Sequence, residues 1–257
     1  MVSTLIDAVP HVDPRLDAEL RDHERGYIEK LAARLSEGGI PVTSVVLDGP
    51  VVEALEAEAR ASGADLVVMS THGRGGLSRM WLGSVADGLV RRGPAPVLLV
   101  RPSEDGAVTE EAAAFRHILV PLDGSALAEE ALDLAVQVGE PAGAKYTLVQ
   151  AISPVTVIGP HSTEAIAAEY QAQHKKEAER ALGELADRLR AREADVLVIT
   201  HPSPAAAILD VAESRGADLI CLATHGRTGL PRLFLGSVAD KVVRSAKVPV
   251  LVVRPGE

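Results

Sequence analysis

Two loops carry the residues best suited to chemistry: THGRGGLSRMWLGS, from Thr71 to Ser84, and THGRTGLPRLFLGS, from Thr224 to Ser237. In each, an apolar run ends, glycines follow, and a helical pattern opens at Gly83-Ser84 or Gly236-Ser237. Backbone N–H groups at a helix start have no intrahelical acceptor and carry the positive end of the helix dipole, so they suit phosphate. Glycines let the backbone approach an anion closely. Ser84 and Ser237 could cap the helix or donate a hydroxyl to a phosphate oxygen. A purely structural turn with an N-cap fits the same residues. The loops are not Walker A loops, because G-x-x-x-x-G-K-S/T occurs nowhere in the chain. Nor are they dinucleotide fingerprints: Gly73-Arg74-Gly75 meets Ser78 where a third glycine belongs, and Thr228 replaces Gly75 in the second loop.

Side chains elsewhere offer less. His72 and His225 read as loop-orienting residues, with no second His, Glu or Cys at metal spacing. Arg74, Arg79, Arg227 and Arg232 read as solvated charges, and the single cysteine, Cys221, sits inside an apolar run and reads as core. The charges interspersed along 162–191 read as the solvated face of a helix.

The loops belong to a longer repeat. Residues 64–102 match 217–255 without a gap, with 24 of 39 positions identical. A period of 153 residues is too long for a solenoid and indicates a duplicated domain. The small, acidic stretch PSEDGAVTEEAAAF reads as a linker, which divides the chain into 1–102, a linker at 103–115, and 116–257.

The second copy shows the elements that must position its loop. Strands are predicted at 117–123, 146–152, 195–200, 218–223 and 248–253, with helices at 125–140, 162–191, 204–216 and 236–246. Ser125 can cap the first helix, while proline opens and glycine closes the third. Strands alternating with helices give a parallel sheet covered on both faces, a doubly wound α/β domain. In the first copy, 3–10 aligns with the second strand. A helix at 15–37, a strand at 42–47, a helix at 51–62, a strand at 65–70, a helix at 83–92 and a strand at 97–101 follow. Nothing there corresponds to HILVPLDGSALAEEALDLAVQVGE, so the first strand and helix are missing.

Composition narrows the function. The chain has 257 residues, a net charge of −10 and only 2% aromatic residues. Neither a basic face for a phosphate backbone nor a stacking surface for bases is expected, which argues against nucleic acid. One cysteine permits no internal disulfide, the N-terminus has no secretory pattern, and no apolar run approaches the ~18 residues of a membrane helix. A cytoplasmic protein that does not enter the membrane is expected.

Gly73 and Gly83-Ser84 enclose nine residues, as do Gly226 and Gly236-Ser237. Together with ILVPLDGS at 118–125, this spacing resembles the universal stress protein family in its tandem two-domain form. That family's nucleotide-binding branch carries G-x-x-G, nine residues, then G-S/T. Here the first glycine is Ser70 in one copy and Ala223 in the other.

The resemblance implies two five-stranded sheets of order 3-2-1-4-5, the first lacking its first strand and helix, with ATP at the crevice beside strands one and four. The general rule for open α/β sheets points to the same crevice. It implies that Pro121, Leu122 and Asp123 end strand one beside the adenosine. Asp123 would take a ribose hydroxyl or a nucleotide-bound Mg, although a turn role also fits it. Ala151 would offer backbone to the adenine. Thr224, His225, Gly226 and Arg227 would line the ribose and phosphate approach, and Gly236, Ser237 and Val238 would cradle the phosphates. A partial site would comprise Thr71, His72, Gly73, Arg74, Gly83, Ser84 and Val85.

The expected function is ATP binding with a regulatory or stress-response role, mainly in the second copy. An assembly module without nucleotide is the alternative, and a weak ATPase the third reading, for which the sequence offers no evident general base. The last strands of the two copies, 96–102 and 249–255, read as exposed apolar edges that invite pairing, and the resemblance implies that they pair antiparallel within the chain as a pseudo-dimer, with a homodimer as a further assembly. For the missing strand three explanations stand. Met1 is an internal start with roughly 35–40 residues of the doubly wound unit lost, strands two and four close the gap, or a partner supplies the strand. The first is preferred, with a less stable first copy as its consequence.

Overall fold

A computed structural model describes residues 14–70, 82–101, 114–155, 164–189, 192–224 and 235–254. The chain divides into two compact units, 1–54 and 55–257.

In the first unit, α1 spans Pro14–Ser36 and ends at a glycine turn in which Gly39, with φ of 80°, donates to Ser36 O. Arg21 and Asp48 form an ion pair at 2.7 Å. Tyr27 and Leu35 on α1, and Ile40, Val45 and Leu47 beyond it, are exposed. Residues 42–47, expected as a strand, pair with no described strand. The reason is physical: an extended segment becomes a strand only by bonding to a neighbour. Its counterpart in the second copy is held by an adjacent strand along seven positions. The segment that would play that part here, 3–10, lies outside the described residues.

Helix α2, Val51–Ala61, leads into the second unit. There, β1 (Val67–Ser70), α3 (Ser84–Arg92) and β2 (Val97–Val100) come from the first copy. The second copy supplies β3 (His117–Pro121), α4 (Ala126–Gly139), β4 (Lys145–Ile152), α5 (Glu164–Arg188), β5 (Ala194–Thr200), α6 (Pro204–Arg215), β6 (Leu219–Ala223), α7 (Ser237–Ser245) and β7 (Val250–Val253). All seven strands share one sheet, ordered β1-β2-β7-β6-β3-β4-β5. The five strands of the second copy run parallel, and numbered within that copy their order is 3-2-1-4-5.

The copies join where β2 pairs antiparallel with β7. Leu98 stands opposite Leu251, its repeat counterpart, with Val97 opposite Val252 and Leu99 opposite Val250. The joint therefore lies on a local two-fold axis, and Leu98, Leu99 and Leu251 are buried at it. On one face of the sheet Leu132 and Ala135 of α4 and Leu182 and Leu185 of α5 pack over Ile118, Tyr146, Leu148 and Cys221. Gly139 closes α4 where a Cβ would meet the Tyr146 hydroxyl at 2.6 Å, so this corner admits no side chain.

Candidate functional site

Strand β3 stops at Pro121, Leu122 N donates to Val149 O, and the chain turns away from β4. The turn is built by Asp123, whose Oδ1 accepts from Ser125 N at 3.0 Å and from Ser125 Oγ at 2.7 Å. Gly124 takes a φ of 80° between them, a conformation glycine adopts without steric cost. Ser125 Oγ in turn accepts from Ala128 N at 3.3 Å and caps α4. Strand β4 runs on past the end of β3 and carries Ala151 to the rim.

On the other side of β3, β6 ends at Ala223. Buried Thr224 donates its N–H to Val253 O, and its carbonyl accepts from Gly236 N, both at 2.8 Å. Gly236 is the N-cap of α7, with φ −58° and ψ 148°. The serines are thus not caps, as they could have been by sequence: Ser237 and Ser84 are the first helical residues, and neither glycine cap offers a side chain to the helix. The first N–H groups of α7 have no acceptor within the helix.

These ends meet around a cavity of about 470 Å³ at the C-terminal edge of the parallel strands, where the strand order reverses. Its walls are Pro121, Leu122 and Asp123 after β3, Ala151 on β4, Ala223 and Thr224 after β6, and Gly236, Ser237 and Val238 at α7. Ser153, Leu222, Ala128 and Ala239 complete them, with Pro204 and Ile208 on α6, all unforeseen in the sequence reading. A signal for α6 existed: Ser203 accepts from Ala206 N and Pro204 holds the first turn, so SPAAAI marks a helix start at the rim where β5 ends. His225, Gly226 and Arg227 lie outside the described residues, as do Thr71, His72, Gly73 and Arg74. Gly83, Ser84 and Val85 open α3 with the same geometry as their counterparts, φ −59° and ψ 149° at Gly83.

Among the described lining residues Asp123 alone carries a charge. No cluster of three or more His, Cys, Asp or Glu among the described residues is placed to hold a metal ion. Cys221 is fully buried, its Sγ donates to Ala131 O at 3.1 Å, and burial pushes its thiol up, away from reactivity. No helix among the described residues is long and apolar enough to cross a membrane.

The model of the universal stress protein family matches residues 4–101 and 114–254. A universal stress protein of Mycobacterium tuberculosis is 34% identical over 215 residues, covering 82% of this chain and 68% of that protein. One of Methanocaldococcus jannaschii is 30% identical over 142 residues, covering 54% of this chain and 82% of that protein. The crystal structure of a universal stress protein from Archaeoglobus fulgidus shares the fold, with a TM-score of 0.65 at 21% identity over 98% of this chain and 83% of that one. The chain belongs to the universal stress protein family and carries two of its segments in tandem.

Proposed function

We propose that this universal stress protein binds an adenine nucleotide, ATP, in the second-copy cavity, and that occupancy serves a regulatory, stress-response role. The observation that carries this reading is the cavity itself. It has the size of a small-molecule site, lies at the strand-order reversal, and is apolar along Pro121, Leu122, Ala151 and Ile208. At one end stands the glycine-capped start of α7, whose N–H groups suit phosphate. At another stands Asp123, which would meet a ribose hydroxyl or, through the phosphates, Mg. One carboxylate with phosphate oxygens is an ordinary donor set for that ion. His225, Gly226 and Arg227 would complete the phosphate approach. The first-copy residues Gly83, Ser84 and Val85, with Thr71, His72, Gly73 and Arg74, would form a partial site only.

The proposal is for binding, since fold does not imply turnover. Mass spectrometry of ligand carried through purification should detect an adenine nucleotide, and a steady-state phosphate-release assay should stay at background. Asp123→Asn keeps an acceptor for the Ser125 turn while removing the charge. It should weaken Mg-ATP binding by about tenfold, the loss of one charge-assisted contact. Unchanged calorimetric affinity in that variant would remove Asp123 from the site.

A further inference from the structure

The two copies exchange helix caps. The first turn of α7 lines the cavity, and the helix is nine residues long. Its last turn is held from the other copy: Arg101, just beyond β2, donates from Nη2 to Arg244 O at 2.5 Å and to Val243 O at 3.3 Å. Arg254, the repeat counterpart of Arg101, returns the contact by donating from Nη1 to Gly93 O at 2.7 Å, at the C-cap of α3. A guanidinium in this place satisfies carbonyls that the helix itself cannot and sits at the negative end of its dipole. A second tie joins the helices directly, with Arg244 Nη2 at 3.7 Å from Asp87 Oδ1. Isolated helices shorter than ~12–15 residues are marginal, so the two ends of so short a helix do not open independently. Loosening the last turn of α7 lowers the order of the first.

We propose that Arg101 is a positioning residue for the second-copy cavity: by holding the last turn of α7 it keeps the N–H groups of Ser237, Val238 and Ala239 set for phosphate at the other end. The inference rests on the nucleotide reading of that cavity. It gives the first copy a part in the site of the second without contact with the ligand.

The test uses the full chain as wild type, Arg101→Ala, Arg101→Lys and Arg254→Ala. Affinities for Mg-ATP and adenosine are read by calorimetry, and amide exchange is read without ligand at Asp240, whose N–H closes the first turn of α7 on Gly236 O at 2.8 Å. Arg254 contacts α3, so its variant controls for the loss of an equivalent arginine. Arg101→Ala should bind Mg-ATP about three- to tenfold more weakly, the range set by a charge at a helix end. Adenosine binding should be unchanged, because adenosine brings no phosphate to α7. Arg101→Lys should recover part of the loss, and Arg254→Ala should keep the wild-type ratio of the two affinities. Exchange at Asp240 should quicken in Arg101→Ala and not in Arg254→Ala. Equal loss for both ligands, no loss, or the same loss in Arg254→Ala overturns the proposal, since the arginine would then only support the fold. If wild type binds neither ligand, the nucleotide reading falls and exchange alone decides. Faster exchange confined to Arg101→Ala sustains the positioning of α7, and equal exchange in the two variants overturns it.

Discussion

Val68 and Cys221 hold the same place in two copies of one sequence, yet Val68 is 58% exposed and Cys221 is fully buried. Their local sequences match in type though not in identity, VVMS against ICLA, each preceded by Ala-Asp-Leu and followed by Thr-His-Gly. What differs is the company. β6 lies between β3 and β7, with Ala131 of α4 over Cys221. β1 has β2 on one side and, among the described residues, no strand on the other. Burial is therefore conferred by neighbours from elsewhere in the chain, and a repeat of sequence is not a repeat of environment.

The comparison breaks most sharply under a buried charge. Cys221→Asp would place a carboxylate with no counter-ion in the core, at a cost of about 3–5 kcal/mol. Val68→Asp, on an exposed edge position, should change stability by about 0.5 kcal/mol or less. Urea denaturation of the two full-length variants measures both. Equal losses would mean that β1 is as well covered as β6 in solution.

At the joint the copies should instead behave alike. Leu98→Ala and Leu251→Ala each remove a buried leucine from the same two-fold contact, and each should cost about 2–5 kcal/mol. A small effect at Leu98 beside a large one at Leu251 would show that the first copy leans on the joint less than the register implies.

Acid should distinguish the copies through a strand that only the second possesses among the described residues. His117 at the start of β3 is buried, with Nε2 at 2.8 Å from Thr147 Oγ1. Burial first, and then the charge of Lys145, lower its pKa, while Asp218 opposes them. The folded state thus favours neutral imidazole. The stability it contributes is complete above about pH 6.5, the unfolded value, and is lost as pH falls from there through the lowered folded value. His117→Gln should flatten that part of the stability profile. A profile with the same slope in wild type and variant would assign the acid sensitivity to another group.

Much of this arrangement was legible in residues. Leu98 and Leu251 lie in matching apolar strands whose edges invite pairing, while the antiparallel sense of that pairing came from the family resemblance and not from the residues. The Asp123 turn, the cap at Ser125 and the glycine start of α7 were equally visible, because each is a local device with its own residue types. Ser153, Pro204 and Ile208 were not, since their approach to the cavity depends on how α6 crosses the sheet rather than on any motif. Residues 42–47 misled for the opposite reason. Val42, Val45 and Val46 carry strand propensity, but propensity is expressed only when a neighbouring strand accepts the backbone.

The smallest expected effect tests equivalence at the helix ends. Gly93 follows α3 and Ala246 follows α7, and each donates its N–H to the carbonyl four residues back, at 2.7 Å and 2.8 Å. Gly93 has φ −56°, so its conformation does not require glycine. A Cβ built there would nevertheless lie 2.6 Å from Leu89 O, and some shift is needed. Ala246 carries its methyl on nearly the same φ, −59°, so the backbone region itself admits alanine. The atom met at Gly93 is backbone, so the end of α3 must move, at about 1–3 kcal/mol, while alanine restricts the unfolded chain, which favours folding by about 0.4–1 kcal/mol. The shift outweighs the gain, so Gly93→Ala should cost about 1 kcal/mol in urea denaturation. A loss of several times that would mean that α3 is held more rigidly than α7. Arg254 bonds the Gly93 carbonyl itself, so the first copy's helix end would then be the less tolerant member of the exchanged pair.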